Sequence, residues 1–172
     1  MGTHSATLHT EQWVIETRRF CARRGVIEGL LVPAQLERLS REVAEPFAPL
    51  SARVEAVRSP RGVDGLLVKL NGAVKLQCQR CMYPVEISVA TTARFELVGS
   101  DSALDANLDD DEWDAIRDAE HLELLPLLED ELILAMPFAP MHDACKAAVQ
   151  PDTGVRRNPF ADLAEFTAKR RK

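Results

Sequence analysis

The chain has 172 residues, 46% of them apolar and 28% charged, and carries a formal net charge of -6. That length and balance suit one globular domain with its own core, which excludes wholesale disorder and any need for disulfide staples. No uncharged apolar run reaches about eighteen residues, so no transmembrane helix and no membrane partner are expected. The polar start, Met1 to Thr10, lacks the basic, apolar and small-residue pattern of a secretory signal. A cytoplasmic protein is therefore expected, whose four cysteines stay reduced or bind metal.

The average charge hides an asymmetry. Between Asp101 and Glu131 stand thirteen acidic residues and one basic residue, Arg117. Basic residues gather instead near the start, at Arg18, Arg19, Arg23 and Arg24. They gather again at the end, at Arg156, Arg157, Lys169, Arg170, Arg171 and Lys172. Those ends are candidate RNA or partner contacts, and solvated surface is the bland alternative.

In chain order, residues 1–15 read as a flexible N-terminus. Val26 to Val32 is apolar and β-prone. Pro33 suits a first helical turn, and Leu36, Leu39 and Val43 recur at helical spacing, so Ala34 to Ala44 predicts a short amphipathic helix. Pro46 and Pro49 end it. Arg53 to Val57 alternates like a half-buried strand. Leu66 to Leu76 predicts one strand, or a hairpin broken at Asn71-Gly72. Val85 to Val98 alternates again and is long enough for one bent strand. An acidic loop is expected at about 100–112, within which Asp109, Asp110, Asp111 and Glu112 are a candidate docking surface for a basic partner. Pro126 to Met136 predicts a helix with one buried stripe, stopped by Pro137. Residues 146–172 read as a linker, a short helix through Phe160 and Leu163, and a basic tail. The fold class expected is α+β: an antiparallel sheet or open barrel-like meander with a few short flanking helices, in one domain over 16–145.

The sharpest local feature is Cys78-Gln-Arg-Cys81. Two thiolates at that spacing can grip one metal ion, and a structural zinc site wants four ligands. His142 and Cys145, in Met141-His-Asp-Ala-Cys145, are the other candidates, and together they would make a Cys3His set for a structural zinc. A redox pair is one alternative, although such pairs normally open a helix in a βαβ setting. Cysteines with a packing or partner role are the other, and Cys21 reads as a packing residue. No Gly-rich phosphate loop, His-Glu-x-x-His box or nucleophile elbow appears, so no catalytic residue is assigned. A single tyrosine and few aromatics argue against a base-stacking RNA platform of the common sort.

Leu76-Gln-Cys-Gln-Arg-Cys-Met-Tyr-Pro84 resembles the cysteine motif of the YceD family, the large ribosomal RNA subunit accumulation proteins. Leu128-Glu-Asp-Glu-Leu-Ile-Leu-Ala-Met-Pro-Phe-Ala-Pro-Met-His-Asp143 is similar to that family's acidic-apolar helix, proline-rich loop and His-Asp pair. Asn158-Pro-Phe-Ala-Asp-Leu-Ala164 resembles its C-terminal signature, and Gly25-Val-Ile-Glu-Gly29 its N-terminal motif. The likeness spans about Arg18 to the end. It implies a non-enzymatic bacterial protein needed for large-subunit ribosomal RNA to be processed or to accumulate. Genes of such proteins often lie beside that of a small zinc-binding large-subunit protein. Cysteine-rich relatives carry more cysteines in the loop matching Pro140 to Gln150, where this chain keeps only His142 and Cys145.

The reading is thus a ribosome-biogenesis adaptor, not an enzyme. Its partners would be ribosomal RNA, a large-subunit ribosomal protein or an assembly factor, with no small-molecule substrate. The rivals are a metal-dependent RNA-processing enzyme and, after it, a Cys-x-x-Cys redox protein.

Overall fold

The computed structural model describes residues 13–99 and 112–147. Alternation builds its main sheet. In β3 (Leu50–Arg58), Leu50, Ala52, Val54 and Ala56 are buried while Ser51 and Arg58 are exposed. β4 (Asp64–Gln77) buries Leu66, Val68, Leu70, Val74 and Leu76 in the same rhythm, and β5 (Pro84–Val98) buries Val85, Val89, Phe95 and Leu97. Residues two apart in a strand share a face, so one side of the sheet is apolar and the other polar.

With β2 (Val26–Leu31) and β6 (Asp114–Arg117), these strands form a five-stranded sheet in the order β2-β3-β4-β5-β6. β2 to β5 run antiparallel in sequence order, a meander as expected. β6 breaks the pattern by pairing parallel to β5, from Phe95 opposite Asp114 to Val98 opposite Arg117. A second, two-stranded sheet joins β1 (Val14–Glu16) to β7 (His121–Glu123). The class is α+β.

Among the described residues, three short helices flank the sheets: α1 (Thr17–Ala22), α2 (Glu37–Glu42) and α3 (Leu124–Leu134). α3 buries Leu124, Leu128 and Leu132, which fall four apart on one stripe, and lays them on the apolar face of the sheet. Pro126 sits in its first turn, where a missing N–H costs nothing.

Several expectations are revised. The helix over 34–44 is a 3-10 turn at Pro33–Gln35 followed by α2, because Leu36 takes a non-helical φ of -121° while burying its side chain completely. Asn71-Gly72 is not a hairpin: β4 runs straight through it. Gly72 instead makes room, since a Cβ there would lie 2.2 Å from Leu50 Cδ2. The N-terminal stretch expected to be loose to residue 15 already contributes core at Trp13 and Ile15, which pack with α3. α1, β6 and β7 have no counterpart in the sequence reading. Among the described residues, no helix is long and apolar enough to cross a membrane.

Candidate metal centre

β4 and β5 are the longest strands, and their shared turn carries Cys78 to Tyr83. The ladder closes at Gln77 opposite Pro84. Beyond it the Cys78 N–H donates to the Tyr83 carbonyl (3.0 Å), and the Met82 N–H donates to the Cys78 carbonyl (2.9 Å). Met82 pays for this tight return with a left-handed φ of 64°. The turn places the Cys78 and Cys81 thiols on the same side, both buried, in a small cluster with Val85 that is separate from the main core.

The segment after α3 crosses this turn. Pro137 and Pro140 deny it helical structure, and the Pro140 carbonyl accepts a hydrogen bond from the Gln79 N–H (2.9 Å). Arg80 reaches the Cys145 carbonyl (3.5 Å) and the Met141 sulfur (3.7 Å). The result brings all four expected ligands together. The donor atoms of Cys78, Cys81, His142 and Cys145 lie within 4.8 Å of one another. Cys78 Sγ is 3.8 Å from Cys145 Sγ, and Cys81 Sγ is 3.3 Å from His142 Nδ1.

One partner fixes the chemistry of His142. Its Nε2 lies 3.1 Å from the Pro84 carbonyl oxygen. A carbonyl only accepts, so Nε2 carries the proton and Nδ1 presents a lone pair to the thiols. That is how metal-binding histidines are commonly oriented. The thiols respond to their surroundings in opposite ways. Burial pushes Cys78 up, but hydrogen bonds from the backbone of Cys81, Arg80 and His142 bring it down to about 5. Burial raises Cys145, and its neighbours Cys78 and Cys81 raise it further. A thiolate is thus available at neutral pH in a set that can coordinate a metal ion.

The other candidate residues are placed differently. Arg18 and Arg19 lie on α1, and Arg23 and Arg24 on the turn after it, Arg24 with a φ of 49°. They do not form a uniformly basic face. Arg18 lines a hollow with Glu16, Asp118 and Glu120, Arg24 shares a cleft of about 610 Å³ with Arg58 and Asp64, and Arg19 lies 3.8 Å from Glu16. Glu112 faces Arg94 Nη1 at 3.6 Å. Asp109, Asp110, Asp111, Arg156, Arg157, Lys169, Arg170, Arg171 and Lys172 lie outside the described residues. Cys21 is half-buried beside the main core, and burial raises its thiol. The sequence reading gave no role of their own to Arg80 or Pro84, although both lie within the Leu76 to Pro84 motif. Their parts depend on which loop crosses the turn.

Comparison with known proteins agrees with the motif likeness. The model of the family "Large ribosomal RNA subunit accumulation protein YceD" matches residues 66–167, a range that contains all four candidate ligands. A protein of that name from Haemophilus influenzae is 28% identical over 151 residues, covering 82% of this chain and 87% of its own. No solved structure matches.

Proposed function

The chain belongs to the YceD family, and from that premise we propose that it is a ribosome-biogenesis factor, a non-enzymatic adaptor needed for large-subunit ribosomal RNA to be processed or to accumulate. The observation that carries the adaptor reading is the closed donor set of Cys78, Cys81, His142 and Cys145. Structural zinc takes four protein ligands, whereas a catalytic zinc keeps one position open for water or substrate. Sulfurs placed tetrahedrally at about 2.3 Å from zinc lie roughly 3.8 Å apart, which is the Cys78–Cys145 separation of 3.8 Å. Three sulfurs and an imidazole suit zinc better than magnesium or calcium, which prefer oxygen. Zinc there would tie the 137–147 segment to the β4–β5 turn and make a rigid end.

The basic ends would meet RNA phosphates without reading sequence, and the acidic segment would steer a basic protein partner. The enzyme alternative needs carboxylates that converge on a divalent ion. Of the acidic run, Glu129 and Asp130 are bound to Arg38, and Glu112 faces Arg94. Removal of the gene is expected to lower the large ribosomal subunit relative to the small one, read from sucrose gradients. An unchanged ratio of subunits would count against the reading.

A further inference from the structure

Large apolar side chains that stay in water are informative when they cluster. Eight are exposed among the described residues, and four of them, Met82, Tyr83, Phe138 and Met141, lie on the two segments that meet at the metal centre. Tyr83 is 72% exposed and Phe138 is exposed completely. Neither ring rests in a core, yet each springs from backbone that is held firmly. Tyr83 accepts the Cys78 N–H through its carbonyl, and Phe138 stands two residues before Pro140, whose carbonyl is bound to Gln79.

The polar groups around the rings indicate what would cover them. Arg80 touches only a carbonyl and a sulfur, and it makes no ion pair among the described residues. Lys146 on the crossing segment is exposed and likewise unpaired there. The carboxylates on these segments are Glu86 and Asp143, and Lys75, which stands opposite Glu86 in the ladder, is bound to Glu45. The Gln77 and Gln79 side-chain amides donate to the carbonyls of Met82 and Gln77 (3.4 Å each), and their oxygens accept no hydrogen bond among the described residues. An apolar groove of a protein partner would have to desolvate those oxygens and both cations. Unpaired nucleotides would use them: bases stack on exposed rings, phosphates meet Arg and Lys, and base edges offer donors to amide oxygens.

We propose that the turn and the crossing segment form a binding face for single-stranded RNA, with Tyr83 and Phe138 stacking on bases and Arg80 and Lys146 meeting phosphates. The proposal rests on the ribosomal reading above for its biological sense and adds an RNA contact at this end of the molecule to the one proposed for the basic ends. The count of aromatic residues argued against a stacking platform; the exposure of two rings on segments joined by the Gln79–Pro140 hydrogen bond argues for one.

The test is fluorescence anisotropy of the zinc-loaded full chain with a fluorescein-labelled 12-nucleotide single-stranded RNA and with its duplex. The single strand is expected to bind more tightly. Tyr83→Ala and Phe138→Ala should each weaken it by roughly 5- to 100-fold, while Phe138→Trp retains binding. Arg80→Gln should reduce the salt dependence by a slope of about 0.7. Both rings are exposed, so melting curves of these variants should overlay that of the parent chain. Equal affinity for the duplex, or indifference to both rings, overturns the proposal. If RNA binding ignores the rings while the alanine variants fail to restore the large subunit in cells lacking the gene, the face contacts protein instead. In that case the biogenesis reading survives without this inference. Ring-dependent RNA binding in a protein whose loss leaves the subunit ratio unchanged would have the opposite meaning.

Discussion

At the scale of single residues, Cys78 and Cys145 set how the metal-free centre answers to pH. The Cys78 thiol is held at about 5, below its ordinary value of 9.0. A group whose folded value is depressed stabilises the fold fully above its unfolded value, and that contribution drains away as pH falls through the folded value. Cys145 is raised, so its effect is the reverse: it costs nothing below its ordinary value and opposes folding above it. The chelator-treated protein should therefore melt higher as pH rises from about 5 toward 9, and turn down beyond. Cys78→Ser should flatten the rise. Melting curves of the two metal-free proteins across this range check it, and parallel curves would contradict the assignment of the thiolate to Cys78.

At the scale of elements, α2 is too short to hold itself together, since isolated helices of fewer than about twelve residues are marginal in water. It is held by α3. Glu129 Oε1 accepts the N–H groups of Arg38 (2.7 Å) and Leu39 (3.1 Å), two of the orphan donors at the start of α2. Its other oxygen meets Arg38 Nε at 2.9 Å, while Arg38 also reaches Asp130 (2.6 Å) and the Pro126 carbonyl (3.2 Å). The carboxylate is only 9% exposed. Glu129→Ala would strand these donors and is expected to cost roughly 2–3 kcal/mol, with Glu129→Gln costing less because its amide oxygen still accepts. Urea unfolding measures the difference, and a change below about 0.5 kcal/mol would show that water replaces the carboxylate freely.

This clasp also shows what a linear reading can and cannot reach. The stripe Leu124, Leu128, Leu132 follows from spacing alone, and so do the alternating strands β3, β4 and β5. The use of Glu129 does not, because an acidic residue within an acidic run looks the same whether it is solvated or caps a helix ninety residues earlier. Asn71-Gly72 misleads for a related reason: the pair is a good turn, but the space that glycine leaves is taken by Leu50 from the neighbouring strand. The four candidate metal ligands were legible as two pairs with proper spacing, and only the crossing of the 137–147 segment over the turn unites them. Short elements such as β6 and β7 carry too few residues for any period to be seen.

At the scale of the whole molecule, β4 connects two ends with different characters. It begins at Asp64, which shares its cleft with Cys21 and Arg24, and it finishes at Gln77, next to the metal centre. Fourteen strand residues span roughly 45 Å, so that cleft and the exposed rings of the turn are well separated. The main core lies along the strand between Leu66 and Leu76 and against α3, whereas Cys78, Cys81 and Val85 form their own small cluster. The two clusters should respond separately to loss of metal. Protein purified without a histidine tag is expected to hold one zinc per chain by elemental analysis. Chelation, or Cys145→Ser, should release it and speed hydrogen exchange of the Gln79 and Met82 amides, whose acceptors belong to the turn and the crossing segment. Exchange at Val54 and Val68, in the middle of the sheet and wholly buried, should stay slow. Collapse of protection in the sheet together with the turn would mean that the metal holds up the entire fold. Well under one zinc per chain, with exchange at the turn unmoved by chelator, would leave the four residues as a hydrogen-bonded cluster that needs no ion.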